Sequence, residues 1–130
     1  MTSRPLAASD FQMLRDALDQ DKYDHDSPLD YAEDGTESVV YEDGHGPIAV
    51  FRYSKELTTL RISAVWCDNA DRMRNAKVAI KFFNDTLAKA TVHGFKELIF
   101  NTESPSLAAF CTERLGFEKR GSEYVRNVGV

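Results

Sequence analysis

The alternation of apolar and polar positions divides the chain into strand-like and helix-like stretches. Ser38-Val39-Val40-Tyr41, Ile48-Ala49-Val50-Phe51-Arg52-Tyr53 and Thr59-Leu60-Arg61-Ile62-Ser63-Ala64-Val65-Trp66 are dense in β-branched and aromatic residues. The turns between them, Asp43-Gly44-His45-Gly46 and Ser54-Lys55-Glu56, are short and polar, which predicts an antiparallel meander. From about Asn69 to His93 the period changes. Met73, Ala76, Ile80, Phe83, Leu87 and Ala90 recur at spacings of three and four, one apolar stripe widened by Val78 and Phe82. That pattern predicts a long helix packed on a sheet. Gly94 suits the left-handed residue that ends it, and Lys89 and His93 fall in its last turn.

Shorter elements flank this frame. Ser3 to Leu6 reads as a strand that Pro5 confines to a sheet edge. Ser9 is expected to cap a helix carrying Phe11, Leu14 and Leu18 and ending near Asp19. Lys22 to Gly35, polar and containing Pro28, reads as a long loop with room for one helical turn. Further on, Glu97-Leu98-Ile99-Phe100 is a buried strand. Ser104 and Pro105 open a second helix through Leu107, Phe110 and Leu115 to Gly116. Phe117 to Val128 return as one or two closing strands. The resulting class is α+β, helices covering a mostly antiparallel sheet.

Length and charge narrow the picture. A chain of 130 residues fits one domain with a core that needs no staples. No apolar run approaches a membrane span, and the first residues lack a signal peptide's apolar stretch, so a cytoplasmic protein with reduced cysteines is expected. The net charge of −5 argues against broad nucleic-acid binding. It is unevenly spread: residues 1–57 carry 13 acidic and 5 basic side chains, and residues 58–130 carry 8 and 11. Ten carboxylates lie between Asp19 and Asp43. They form either a solvated face or a surface that attracts a cationic substrate. Asp24-His25-Asp26 lacks the glycine and the closing glutamate of a calcium loop, so no metal is expected there. Cys111 beside Phe110 reads as a small core residue, since no histidine is placed to activate it.

The candidate ligand chemistry lies at the start of the long helix. Arg72, Arg74, Lys77 and Lys81 occupy its first turns, where the helix dipole disfavours cations by roughly 0.3–1 kcal/mol each. Either a bound polyanion compensates, or Asp68, Asp71 and solvent do.

The order of elements, the opening Arg4-Pro5-Leu6-Ala7-Ala8-Ser9-Asp10-Phe11, the strand Thr59–Trp66 followed by an amphipathic helix, and Ala108-Ala109-Phe110-Cys111-Thr112-Glu113-Arg114-Leu115-Gly116-Phe117 together resemble the GNAT superfamily of N-acetyltransferases. The last stretch is similar to a helix ending "YEKLGF" in that family. The resemblance implies six or seven strands in a mixed, mostly antiparallel sheet, with strands 59–66 and 96–101 parallel and splayed around the acyl-pantetheine arm. It also implies acetyl-CoA as cosubstrate and transfer of its acetyl group to an amine of a small molecule or peptide, cationic in character. The protein would be a monomer or homodimer.

The resemblance assigns residues as well. Backbone amides around Ser63, Ala64 and Val65 would hold the thioester carbonyl. Arg74-Asn75-Ala76-Lys77-Val78-Ala79 matches the pyrophosphate signature Q/R-x-x-G-x-G/A, with Lys77 where a glycine belongs and Arg72 just ahead of it. Asn101 would bond the pantetheine or acyl group, or cap its loop. Glu37 or Glu103 would serve as water-linked base. Thr112 takes the slot of the tyrosine that protonates the leaving thiolate in many members, leaving water, Ser63 or Ser106 to replace it. These departures keep a second reading open: a non-catalytic GNAT-like protein for binding or assembly, as in some short phage virion proteins.

Overall fold

One sheet of seven strands organises the chain. In sequence order the strands are β1 (Thr2–Pro5), β2 (Thr36–Asp43), β3 (Gly46–Glu56), β4 (Thr59–Trp66), β5 (Glu97–Phe100), β6 (Glu118–Arg120) and β7 (Glu123–Asn127). Across the sheet the order is β1-β2-β3-β4-β5-β7-β6. Neighbours run antiparallel except β4 and β5, which are parallel and joined through helix α2 (Arg72–His93). Helix α1 (Phe11–Gln20) follows a 3₁₀ turn at Ala8–Asp10, a second such turn spans Pro28–Ala32, and α3 (Pro105–Arg114) links β5 to β6. The computed structural model describes residues 1–21, 27–33, 35–68 and 72–128, with Arg72 described by its backbone alone. The Asp24-His25-Asp26 cluster and the expected helix start at Asn69 lie outside the described residues.

Strand alternation sorts the core into two layers. Tyr41, Phe51, Tyr53, Leu60, Ile62, Leu98 and Phe100 face α2 and α3, where they meet Val78, Phe82, Ala90 and Cys111. Val40, Val50 and Val65 face the other way, against Leu14, Ala17 and Leu18 of α1 and Tyr31 of the second 3₁₀ turn.

Two local expectations need correction. Ser9 is exposed and caps nothing. Instead the Asp10 carboxylate accepts the Ala7 N–H at 2.8 Å and both prongs of Arg4 at 2.7 and 2.8 Å. The Arg4 guanidinium holds that carboxyl below its usual range. On α2, the expected stripe is rotated: Met73 is 71% exposed and Ile80 41%. The buried line is Val78, Ala79, Phe82, Thr86 and Ala90. Phe82 sets this rotation by stacking on Phe51 at 3.8 Å, and the Tyr41 hydroxyl donates to Asp85 at 2.7 Å. At α3 the expected cap holds, with Ser104 Oγ accepting the Leu107 N–H at 3.4 Å and Pro105 in the first turn. Gly116, beyond the helix, has φ +74°, and a Cβ there would meet Arg126 Nε at 3.1 Å.

Candidate functional site

The parallel pairing stops half-way along β4. Thr59 pairs with Glu97 and the register holds to Ile62 opposite Phe100, after which β5 ends and β4 continues to Trp66. On its other edge β4 stays bonded to β3, and the Cys67 N–H donates to Ile48 O at 2.8 Å. Backbone groups alternate between edges along a strand, so the N–H and C=O of Ala64 and Trp66 point into the gap. Those of Ser63 and Val65 point to β3. Of the three residues expected to offer amides, Ala64 therefore does so, and Trp66 adds a group the sequence pattern did not single out. Register alone could have found it.

Behind the gap lies an apolar cavity of about 40 Å³. Ile62, Ala64 and Trp66 line it from β4, Phe100 from β5, and α2 and α3 close it, chiefly through Phe82 and Phe110. Trp66 meets Phe51 edge-to-face at 5.7 Å, which fixes the wall. Cys111 also lines it, and burial pushes its thiol up to about 12. Burial likewise pushes Cys67 up to about 11. Neither is a thiolate nucleophile near neutral pH.

At the start of α2, against the β2–β3 hairpin, the described cations are placed unequally. Arg74 turns inward: its Nε and Nη2 donate to the two Asp43 oxygens at 2.8 and 2.6 Å, Nη1 to Asp68 at 2.6 Å, and Nη2 also to Gly46 O at 2.8 Å. The Arg74 guanidinium, with help from the His45 N–H, holds Asp43 far below the carboxylate range. Lys81 pairs with Asp85 at 3.3 Å, whereas Lys77 is exposed. Val78 and Ala79 are buried, Ala76 and Asn75 half-buried, and Asn75 Oδ1 is a buried acceptor with no partner.

The remaining candidates are scattered. Glu37 lies opposite Tyr53, which lies opposite Ile62, so two strand spacings, roughly 10 Å, separate Glu37 from β4. Its carboxylate accepts from Lys89 Nζ at 2.8 Å, and Lys89 also donates to the Tyr53 hydroxyl. Partial burial alone would raise the Glu37 carboxyl, but the Lys89 ammonium and Tyr53 hydroxyl outweigh it and hold the group below its usual value. Asn101 and Glu103 are exposed in the loop after β5. Thr112 is exposed on α3, its hydroxyl donating back to Ala108 O at 3.1 Å and Ala109 O at 3.2 Å. Ser106 Oγ lies 3.2 Å from Ser104 Oγ, and Ser63 Oγ accepts from Arg52 Nη2 at 3.3 Å.

A mostly antiparallel seven-stranded sheet with one parallel pair joined through a helix has clear counterparts among solved structures. A GNAT-family acetyltransferase from Staphylococcus aureus superposes with a TM-score of 0.76 at 16% identity, covering 98% of this chain and 99% of the other. The ribosomal-protein-S18-alanine N-acetyltransferase of Escherichia coli gives 0.76 at 12% identity over 99% and 94%. This chain has the GNAT fold. A third similar structure, the E. coli GNAT family N-acetyltransferase YhbS in complex with CoA, gives 0.68 at 17% identity over 98% and 81%. No protein-family model and no curated protein matches the sequence. At these identities the likeness is one of GNAT architecture, and chemistry has to be argued from the site itself.

Proposed function

We propose that the protein binds acetyl-CoA in the opening between β4 and β5 and transfers the acetyl group to an amine. The observation that carries this reading is the pairing of the free Ala64 and Trp66 backbone edge with a small apolar cavity. An N–H on that edge suits the oxyanion that forms when an amine attacks a thioester carbonyl. A space of about 40 Å³ suits a group as small as an acetyl methyl. Amine attack on the carbonyl carbon forms the C–N bond. Collapse then expels the CoA thiolate, and the ammonium proton passes to solvent. Neither Thr112 nor Glu37 is placed to assist: one hydroxyl is bonded back into its own helix and one carboxylate is held by Lys89. Without general acid help, worth ~10²–10⁴-fold, the reaction is slow. The acceptor is a cationic amine drawn to the acidic segment Asp19–Asp43, and a reducing cytoplasm suits the two free cysteines. Among the described residues no helix is long and apolar enough to cross a membrane.

The test is thiol release from acetyl-CoA over a panel of polyamines, aminoglycosides and lysine peptides, for the native protein and Thr112→Tyr. Slow release that accelerates in the variant supports transfer at this site. A fast native enzyme slowed by that substitution would show that another residue is the acid. A second reading, a non-catalytic GNAT-fold binding protein, is favoured by one observation: Arg74 is bonded to Asp43 and Asp68. Acetyl-CoA binding without any thiol release would select it.

A further inference from the structure

The arginine at the head of α2 carries more than a packing role. Its guanidinium makes four donated bonds to Asp43, Asp68 and Gly46, and its side chain is 11% exposed. Among the described residues, two carboxylates share this one guanidinium. It sits in the first turns of a 22-residue helix whose N-terminal dipole attracts anions. Asp43 belongs to the β2–β3 hairpin, 31 residues away in sequence, and presents both oxygens in the bidentate geometry that a phosphate would also use.

We propose that Asp43 is a built-in competitor for phosphate at Arg74, so that a pyrophosphate-bearing ligand binds by displacing it. The inference rests on the reading that CoA occupies the opening beside α2. The carboxylate and the phosphate compete for the same N–H fork, and only one can hold it in bidentate fashion. Asp68 holds Nη1 in either state and keeps the guanidinium at the head of α2. The hairpin would then act as a latch whose strength sets the affinity for CoA. Lys77, exposed one turn further along α2, offers the phosphates a second cation.

The experiment is calorimetric titration with CoA, and separately with inorganic pyrophosphate, at about 50 mM salt so that screening stays weak. It compares the native protein, Asp43→Asn, Arg74→Ala and the double variant, with melting curves for each. Asparagine keeps an acceptor for the His45 N–H, which Asp43 binds at 2.8 Å, and removes the charge. The expected result is CoA binding about ten-fold tighter in Asp43→Asn, with the gain abolished in the double variant. Native binding that Asp43→Asn leaves unchanged or weakens would overturn the latch while the proposed function stands. A gain that persists without Arg74 would overturn it too, because the effect would then be bulk charge. Absence of CoA binding in every variant at millimolar ligand would overturn both the latch and the acetyl-CoA reading. Should Asp43→Asn fail to fold, Asp43→Ser carries the same comparison, removing the charge while keeping a hydroxyl acceptor near the His45 N–H.

Discussion

At its N-terminal end α2 is held to the last residue of β2 by Arg74, which grips Asp43 with two bonds and Asp68 with a third. Near its C-terminal end Lys89 reaches Glu37, almost at the start of the same strand, through one bond at 2.8 Å and a second to Tyr53. The helix is therefore strapped across the sheet at both ends of β2, with aromatic packing between. The straps differ in kind. Arginine offers a rigid, planar fork that cannot lose its proton, while lysine is a flexible point charge that loses its proton at alkaline pH. The rigid strap ties the N-terminal end of α2 to the β2–β3 hairpin, and the flexible one ties its C-terminal end to the start of β2.

Substitutions along α2 separate these contributions. Phe82→Ala, in the aromatic middle, is expected to cost ~3–5 kcal/mol by urea denaturation, since it empties the space stacked against Phe51. Arg74→Ala should follow, lowering the urea midpoint more than any change at the other strap, because it removes four donated bonds of a nearly buried guanidinium. Lys89→Met should cost about 1 kcal/mol or less, as expected of a partly exposed pair. A Lys89→Met loss equal to that of Arg74→Ala would break the distinction between the straps.

Alkaline pH sharpens the same contrast. Partial burial alone would lower the Lys89 ammonium, but the Glu37 carboxylate and Tyr53 hydroxyl outweigh it and raise it above its usual value. A raised folded value means stability that is fully present below the ordinary lysine value of about 10.4 and lost as pH climbs through the folded one. Arg74 keeps its charge throughout. Denaturation midpoints followed upward from pH 9 should therefore fall less in Lys89→Met than in the native protein, and Arg74→Ala should leave that fall unchanged.

Much of this arrangement was legible in the sequence, and the exceptions share a cause. β4 and β5 carry their boundaries in plain alternation and density, and Ser104-Pro105 announces α3 through local cap chemistry. The resemblance in element order pointed to the parallel pair that the structure contains. Met73 and Ile80 misled because a period fixes the width of a stripe, not its centre. Thr86 and Asn75 share the sheet-facing side with Phe82, and polar residues do not register in an apolar count. Arg74 and Glu37 were only partly readable for another reason. Asp68, six residues from Arg74, was a local candidate, but Asp43 and the Lys89 that holds Glu37 are 31 and 52 residues distant, beyond any local pattern. Asp10 misled at short range: its reach back to Ala7 and Arg4 displaces the expected serine cap.

The claim that joins these observations is that the opening between β4 and β5 is a binding site for acetyl-CoA. Calorimetric titration of the native protein with acetyl-CoA, repeated on Ala64→Phe to fill the cavity wall, tests it most directly. Saturable one-to-one binding that is lost in a folded Ala64→Phe variant is the predicted result. No heat at millimolar ligand, or binding that Ala64→Phe leaves untouched, would contradict the claim.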